Sequence, residues 1–314
     1  MKDFRNIVLF VLIVGSVPLF TDSGVMLNFV MTSLYACLLS QAWNVLGGFG
    51  GQFSFGHALF FGTGAYVQAI AQMQWGLSPW VALPLAMAFA AGVGAFVGAA
   101  SFRYGLKGSY FALVTLAFAE VFRIVATSVP FTGAGVGLML PLKESTANMQ
   151  FGSRAGFIWL MLGLVTLALC ITAWLRHSRF GAYLQAVRDN EDAARAIGVN
   201  PFSVKLIATI LSGGLMGAGG AFYVQVFQYI DPGIAFGSHT SVEALVGETA
   251  VGFELGFTFT TQAALAALTR KVGPRARETR QRILHARECD LECGLARVGA
   301  VGEDFEDDLL AVDH

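Results

Sequence analysis

The sequence predicts an all-α fold, a polytopic helical bundle with about seven or eight transmembrane helices, some of them Gly-rich and broken. Three observations carry that expectation. Hydrophobic residues make up 55% of the 314-residue chain and charged residues only 13%, whereas soluble domains carry about 25% charged residues. Apolar runs recur that approach or exceed the roughly 18–20 residues needed to cross a bilayer as helix. The 37 glycines lie inside those runs as well as between them, and in membranes small residues let helix backbones approach closely. A soluble protein with a large core is not expected. The four cysteines, Cys37, Cys170, Cys289 and Cys293, are too few and scattered for a disulfide framework. A net charge of −1 without a basic stripe gives no footprint for nucleic acid.

In chain order, spans are expected at about 7–20, 25–46, 55–73, 79–100, 109–129, 155–175 and 204–227, with an ambiguous eighth at about 241–268. The first is short and broken by Pro18. It is read as an uncleaved span, because Phe20-Thr21-Asp22 lacks the small-x-small pattern of a signal-peptide cleavage site. Between the second and third spans, Gly47-Gly48-Phe49-Gly50-Gly51 breaks the chain. Broken helices are tolerated in a membrane where they line a cavity, although tight packing accounts for most of the glycines.

Orientation follows from Lys and Arg in the short loops. Lys2 and Arg5, then Arg103 and Lys107, then Arg176, Arg179, Arg188, Arg195 and Lys205 all fall on one side of the bundle. The other side carries Lys143 and Arg154. The amino terminus and the 176–203 loop are therefore expected in the cytoplasm.

Four polar residues fall within or at the edge of spans. Ser54 and His57 open the third. An interfacial histidine ordinarily hydrogen-bonds backbone or headgroups, whereas an intramembrane ionisable group marks function. Glu120 and Arg123 sit three residues apart on one helix face, where they can neutralise each other. Two readings stay open for them, a self-contained ion pair and part of a translocation path for a zwitterionic solute. All four are carried as candidate path residues. An ion-coupled secondary transporter would also want intramembrane carboxylates, but such carriers often show internal repeats, and no second copy of the Gly-rich segment is found. No Gly-x-x-x-x-Gly-Lys-Ser/Thr loop is present. The chain is therefore not read as an enzyme, and no catalytic residue, cofactor or metal ligand is expected in it.

The charged island at 188–198 lies between two apolar stretches. Asp189, Glu191 and Asp192 crowd its start, where acids complement the positive end of a helix. Ala193, Ala194 and Ala196 favour helix, Gly198 suits the position just past the helix end, and Pro201 follows as a stop. The expected product is one surface helix of two to three turns. Its alanines leave it flat enough to enter a groove, and Arg188, Glu191, Asp192 and Arg195 are placed to pair with charges on the groove's rim.

Asp192-Ala193-Ala194-x-x-x-Gly198 resembles the EAA-x3-G cytoplasmic loop of ATP-binding-cassette importer permeases, with Asp in the first position. The stretches Asn44–Tyr66, Gly108–Glu120, Gly181–Lys205 and Tyr229–Pro232 are similar to the branched-chain amino-acid permease family, and specifically to the larger of its two paired membrane subunits. The resemblance implies a multi-pass protein of the bacterial inner (cytoplasmic) membrane. It also implies a second permease subunit, two ATP-binding subunits and a periplasmic substrate-binding protein as partners. Leucine, isoleucine or valine is the implied cargo, and related permeases carry urea or short amides. The ATPase-coupling role falls on Arg188, Glu191, Asp192, Ala193, Ala194 and Gly198.

The permease domain is thus expected over 1–247, an ambiguous last span over 248–268 and a polar tail over 269–314. That tail holds 18 charged residues in 46 positions, and no apolar run long enough to span follows Leu268. Cys289, Cys293 and His285 lack a fourth ligand for a metal, and 270–287 has the charge run of a basic surface helix. A reading frame shifted near residue 248 accounts better for the loss of hydrophobic period. The chain would then be a truncated, inactive product with a disordered tail.

Overall fold

The structure, a computed structural model, describes residues 2–21, 23–142, 145–242 and 244. Among the described residues there are ten α-helices: α1 (Lys2–Phe20), α2 (Gly24–Asn44), α3 (His57–Met73), α4 (Pro79–Arg103), α5 (Gly108–Ser128), α6 (Arg154–His177), α7 (Arg179–Asp189), α8 (Glu191–Ala196), α9 (Pro201–Phe227) and α10 (Pro232–Phe236). A two-residue ribbon joins β1 (Leu138–Met139) to β2 (Tyr229–Ile230) antiparallel, with Leu138 opposite Ile230.

Five helical segments are long and apolar enough to cross a membrane: Gly24–Phe49, which is α2 with a π-helical extension, then α4, α5, α6 and α9. The shorter helices α1 and α3 lie where the first and third spans are expected, and five of the seven expected positions hold a helix long and apolar enough to cross a membrane. The fold is the polytopic helical bundle that the composition predicts. The eighth stretch lies outside the described residues beyond its first few positions, as do Cys289, Cys293, His285 and the whole polar tail.

Three boundaries differ from expectation. Pro18 does not break α1, which runs on to Phe20; proline there forgoes the bond to the carbonyl four residues back, yet the ladder resumes, with Thr21 N–H reaching the Val17 carbonyl at 3.1 Å. Pro201 does not act as a stop but opens α9 as its first residue, where proline's fixed φ is pre-organised for helix and its missing N–H would be unpaired anyway. Asn200 caps that end by accepting the Phe202 N–H at 3.1 Å. The third span starts inside the bundle. His57 at the head of α3 contacts Ser212, eleven residues into α9 and hence about 16 Å along its axis.

The centre of the bundle is the packing of α3 and α4 on α9. Gly64 of α3 faces the backbone of Gly217, and Gly220 faces the Phe61 carbonyl, so a Cβ at either glycine would overlap main-chain atoms. Small residues are what permit this approach. Outside the trio, α2 packs on α6 and α9, and α1 packs on α6 with Gly15 against Trp159 and Leu162. Leu113, Leu116, Val121, Ile124 and Val125 of α5 point outward, as expected for a helix in apolar surroundings rather than water.

The two ends of the bundle are built differently. One is knit by the 129–153 loop: Gln74 and Trp80 donate to the carbonyls of Phe131 and Thr146, and Tyr229 donates to that of Val136. The other end holds α7, α8 and the turn before α5. From the first end the chain turns back inward after β2. Asp231 caps α10 by accepting the Ile234 N–H at 2.9 Å, Phe236 stacks on Tyr66 with ring centroids 5.7 Å apart, and the Ser241 hydroxyl accepts the Ala58 N–H at 2.8 Å. A segment arriving from one end thus satisfies the interior start of a helix.

Candidate functional site

The charged island folds as two helices rather than one. The chain turns at Asn190, so Arg188 and Asp189 end α7 and only Glu191–Ala196 form α8. Asn190 is the cause: its extended backbone leaves α7, and its side-chain oxygen accepts the N–H groups of Asp192 and Ala193, both at 3.0 Å. An Asn cap satisfies donors that a helix start leaves unpaired. The sequence carried this signal, an Asn directly before Glu-Asp-Ala-Ala. At the far end Gly198 takes φ +88°. Its N–H bonds the Arg195 carbonyl and the Val199 N–H bonds that of Ala194, both at 3.0 Å, which is the glycine-terminated motif expected there.

The six coupling-loop candidates divide by direction. Ala194 is buried in an apolar cluster with Leu46, Phe102, Phe111, Val187 and Val204. Arg188 is half-exposed: it donates to the Gly48 carbonyl at 2.9 Å and to Asp189 at 3.1 Å, and its stem lies over Gly51, which takes φ +61° and has no room for a Cβ. Glu191 is 14% exposed and accepts from Lys205 at 2.7 Å and from Arg195 at 3.0 Å, with Lys107 Nζ 3.2 Å away. Burial acts to raise the Glu191 pKa, but the hydrogen bonds and charges of Lys205 and then Lys107 outweigh it and hold the carboxyl below its ordinary value. Arg188 and Glu191 thus both have partners within the chain, and Arg188 keeps 44% of its side chain exposed. Asp192, 84% exposed, with Ala193, Ala196 and Gly198 faces outward. Beside them stands Ile197, 76% exposed, which the sequence reading passed over because an apolar residue at a helix end reads as core.

The four candidate path residues also fall into two groups. His57 is fully buried. The Ser212 hydroxyl donates to the Ala42 carbonyl at 2.6 Å, which leaves its oxygen to accept from His57 Nε2–H at 2.9 Å. Ser54 is buried beside it, its carbonyl accepting from Trp43 Nε1 at 3.2 Å. These bonds tie α2, α3 and α9 together. Glu120 and Arg123 instead form a two-pronged pair on the exposed face of α5, at 2.9 and 2.5 Å. None of the four lines the cavity of about 560 Å³ between α2, α3, α9 and the 233–240 segment. Its walls are mostly apolar, with Thr32, Tyr35, Tyr223, His239 and Thr240 among the lining residues. Sequence reading missed these because two tyrosines and two threonines dispersed over 200 residues carry no local pattern.

A glycine-seamed bundle of long apolar helices with a capped surface helix at one end is the architecture of a polytopic membrane protein. The chain belongs to the branched-chain amino acid transport system permease component family, whose model matches residues 25–249. It is 28% identical over 239 residues to the high-affinity branched-chain amino acid transport system permease protein LivM of Escherichia coli (strain K12), a match covering 68% of this chain and 56% of that one. Against LivM of Salmonella typhimurium it is 29% identical over 226 residues, 64% of this chain and 52% of the other. A shorter match, 38% over 65 residues and 20% of each chain, is to the nucleoside ABC transporter permease protein NupC of Lactococcus lactis subsp. cremoris. The chain thus spans about half the length of the LivM proteins. No solved structure matches it.

Proposed function

We propose that this chain is the membrane subunit of an ATP-driven importer of branched-chain, hydrophobic amino acids, and that α8 receives the motion of an ATPase subunit. The observation that carries this reading is α8 itself: a helix fixed at both ends by Asn190 and Gly198, showing Asp192, Ala193, Ala196 and Ile197 outward, in a chain of this family. The outward side chains are small or apolar apart from Asp192 and Arg195, which suits insertion into a groove with charge at its rim. The working complex pairs the chain with a second permease subunit, two ATP-binding subunits and a periplasmic substrate-binding protein, in the bacterial inner membrane. The amino terminus and the α7–α8 loop face the cytoplasm, and alternating access moves solute through the spans, past Glu120 and Arg123 or through the apolar cavity beside α9.

The decisive experiment is uptake in reconstituted vesicles. Gly198→Pro or Asp192→Arg abolishes ATP-coupled uptake while leaving membrane insertion intact; unchanged coupled uptake would overturn the reading, and gradient-driven, ATP-independent uptake would favour an ion-coupled carrier. Orientation is tested by labelling Ser178→Cys and Asn148→Cys, with Ser178 reached from the cytoplasm and Asn148 from the outside. The solute class is tested on the cognate binding protein, where tight binding of urea or a nucleoside and none of leucine would replace the amino-acid assignment. The family match ends at residue 249, and a frame shift near 248 is tested by translating the other two frames, one of which should yield a further span of about 20 apolar residues.

A further inference from the structure

The basic residues around Glu191 come from three places. Arg195 is on α8 itself, Lys107 is the residue that precedes α5, and Lys205 is one turn into α9. We propose that Glu191 is a positioning residue that links α8 to α5 through Lys107 and to α9 through Lys205, so that displacement of α8 is handed to those two spans. This rests on the reading of α8 as the element an ATPase moves.

The apolar contacts of α8 would not suffice for such a hand-over. Ala194 sits in a cluster of residues from the π-helical extension of α2 and from α4, α5, α7 and α9, but a single methyl on smooth apolar surface resists sliding weakly, because hydrophobic contact is non-directional. Charge-assisted hydrogen bonds are short and directional. The Glu191–Lys205 bond is made at a buried position, where water screens it little, while the Lys107 pair, with Lys107 52% exposed, is the more screened of the two. Lys205 is 4% exposed and lies 5.7 Å from the Phe102 ring centroid, so its ammonium is held against Glu191 rather than free to swing into solvent. The two lysines also reach different parts of the bundle. α9 is packed on α3 and α4, while α5 carries Glu120 and Arg123 and touches α10. One carboxylate therefore addresses both the packed centre and the outward-facing helix.

The experiment measures solute imported per ATP hydrolysed in the complete importer reconstituted in vesicles, together with the amount of ATPase subunit retained on purification. Glu191→Gln, Lys107→Met and Lys205→Met should keep the ATPase subunit bound and hydrolysing, while uptake per ATP falls at least about fivefold, the lower end for a coupling free energy between sites. Lys107→Arg, which keeps the charge, should restore most of the ratio. A variant that merely destabilises the protein lowers recovery but leaves the ratio alone. If Lys205→Met does not accumulate, the exposed Lys107 decides: a wild-type ratio in Lys107→Met overturns the proposal. Asp192→Arg separates the two readings. If it releases the ATPase subunit while the lysine variants stay fully coupled, docking at α8 stands and the link through Glu191 fails. If it changes neither association nor uptake, the docking reading itself fails.

Discussion

Glu191 and Glu120 each hold an arginine on their own helix, one at i+4 and the other at i+3, and they end in opposite situations. Glu120 spends both oxygens on Arg123, and the pair stays 52% and 40% exposed on α5. Glu191 gives one oxygen to Arg195 and keeps the other for Lys107 and Lys205, at 14% exposure. A pair closed within one helix adds charge without adding connection. The carboxylate with an oxygen to spare joins three segments of the chain. Position on the bundle, not the nature of the pair, decides which kind results.

The largest expected break of this contrast is Glu191→Ala. It leaves the buried Lys205 ammonium without its counter-charge, which for a buried pair costs about 3–5 kcal/mol, read as a lowered midpoint of thermal unfolding by circular dichroism in detergent. Next is the glycine at the end of α8. Gly198 at φ +88° sits where an L side chain costs roughly 1–2 kcal/mol, so Gly198→Ala should lower the same midpoint by a smaller amount. Asn190→Ala should cost about 1 kcal/mol, the usual loss for a helix cap, visible as faster amide exchange at Asp192 and Ala193.

The contrast also has a pH signature. The Glu191 carboxyl is held below its ordinary 4.5, so its contribution is fully present above pH 4.5 and is lost as pH falls through the depressed folded value. The wild-type midpoint should therefore converge on that of Glu191→Gln in acid, with the gap constant between pH 5 and 7. The smallest effect belongs to Glu120→Gln with Arg123→Gln, which should leave the midpoint in detergent at the wild-type value. A drop comparable with Glu191→Ala would show that the α5 pair also connects segments.

What could be read from the sequence were the features whose partners lie within one helical turn or one apolar run. The five long apolar helices, the glycine end of α8 and the Glu120–Arg123 pair are local, and local spacing states them. Even the division between α7 and α8 was written locally in Asn190, though the acids around it drew the reading toward a single helix. The link from Glu191 to Lys107 and the reach of Arg188 to Gly48 depend on how distant helices pack. No spacing rule contains that information. Lys205 shows the point sharply: it counts toward the Lys/Arg excess on one side of the bundle, yet the packing of α8 onto α9 buries it.

The glycine seam has a mechanical consequence. Where Gly64 meets Gly217 and Phe61 meets Gly220, no side chain stands between the two backbones, so there is no compressible layer that could absorb a displacement by changing rotamer. α3 and α9 are therefore expected to shift together, with α4 packed on both. Bending is left to the places where regular helix is interrupted, the turn through Gly51 at φ +61° and the turn at Gln228, where a non-glycine residue holds φ +56°. A displacement applied at one end of such a seam is expected to reach the other with little loss, with the two turns as the points where it can bend.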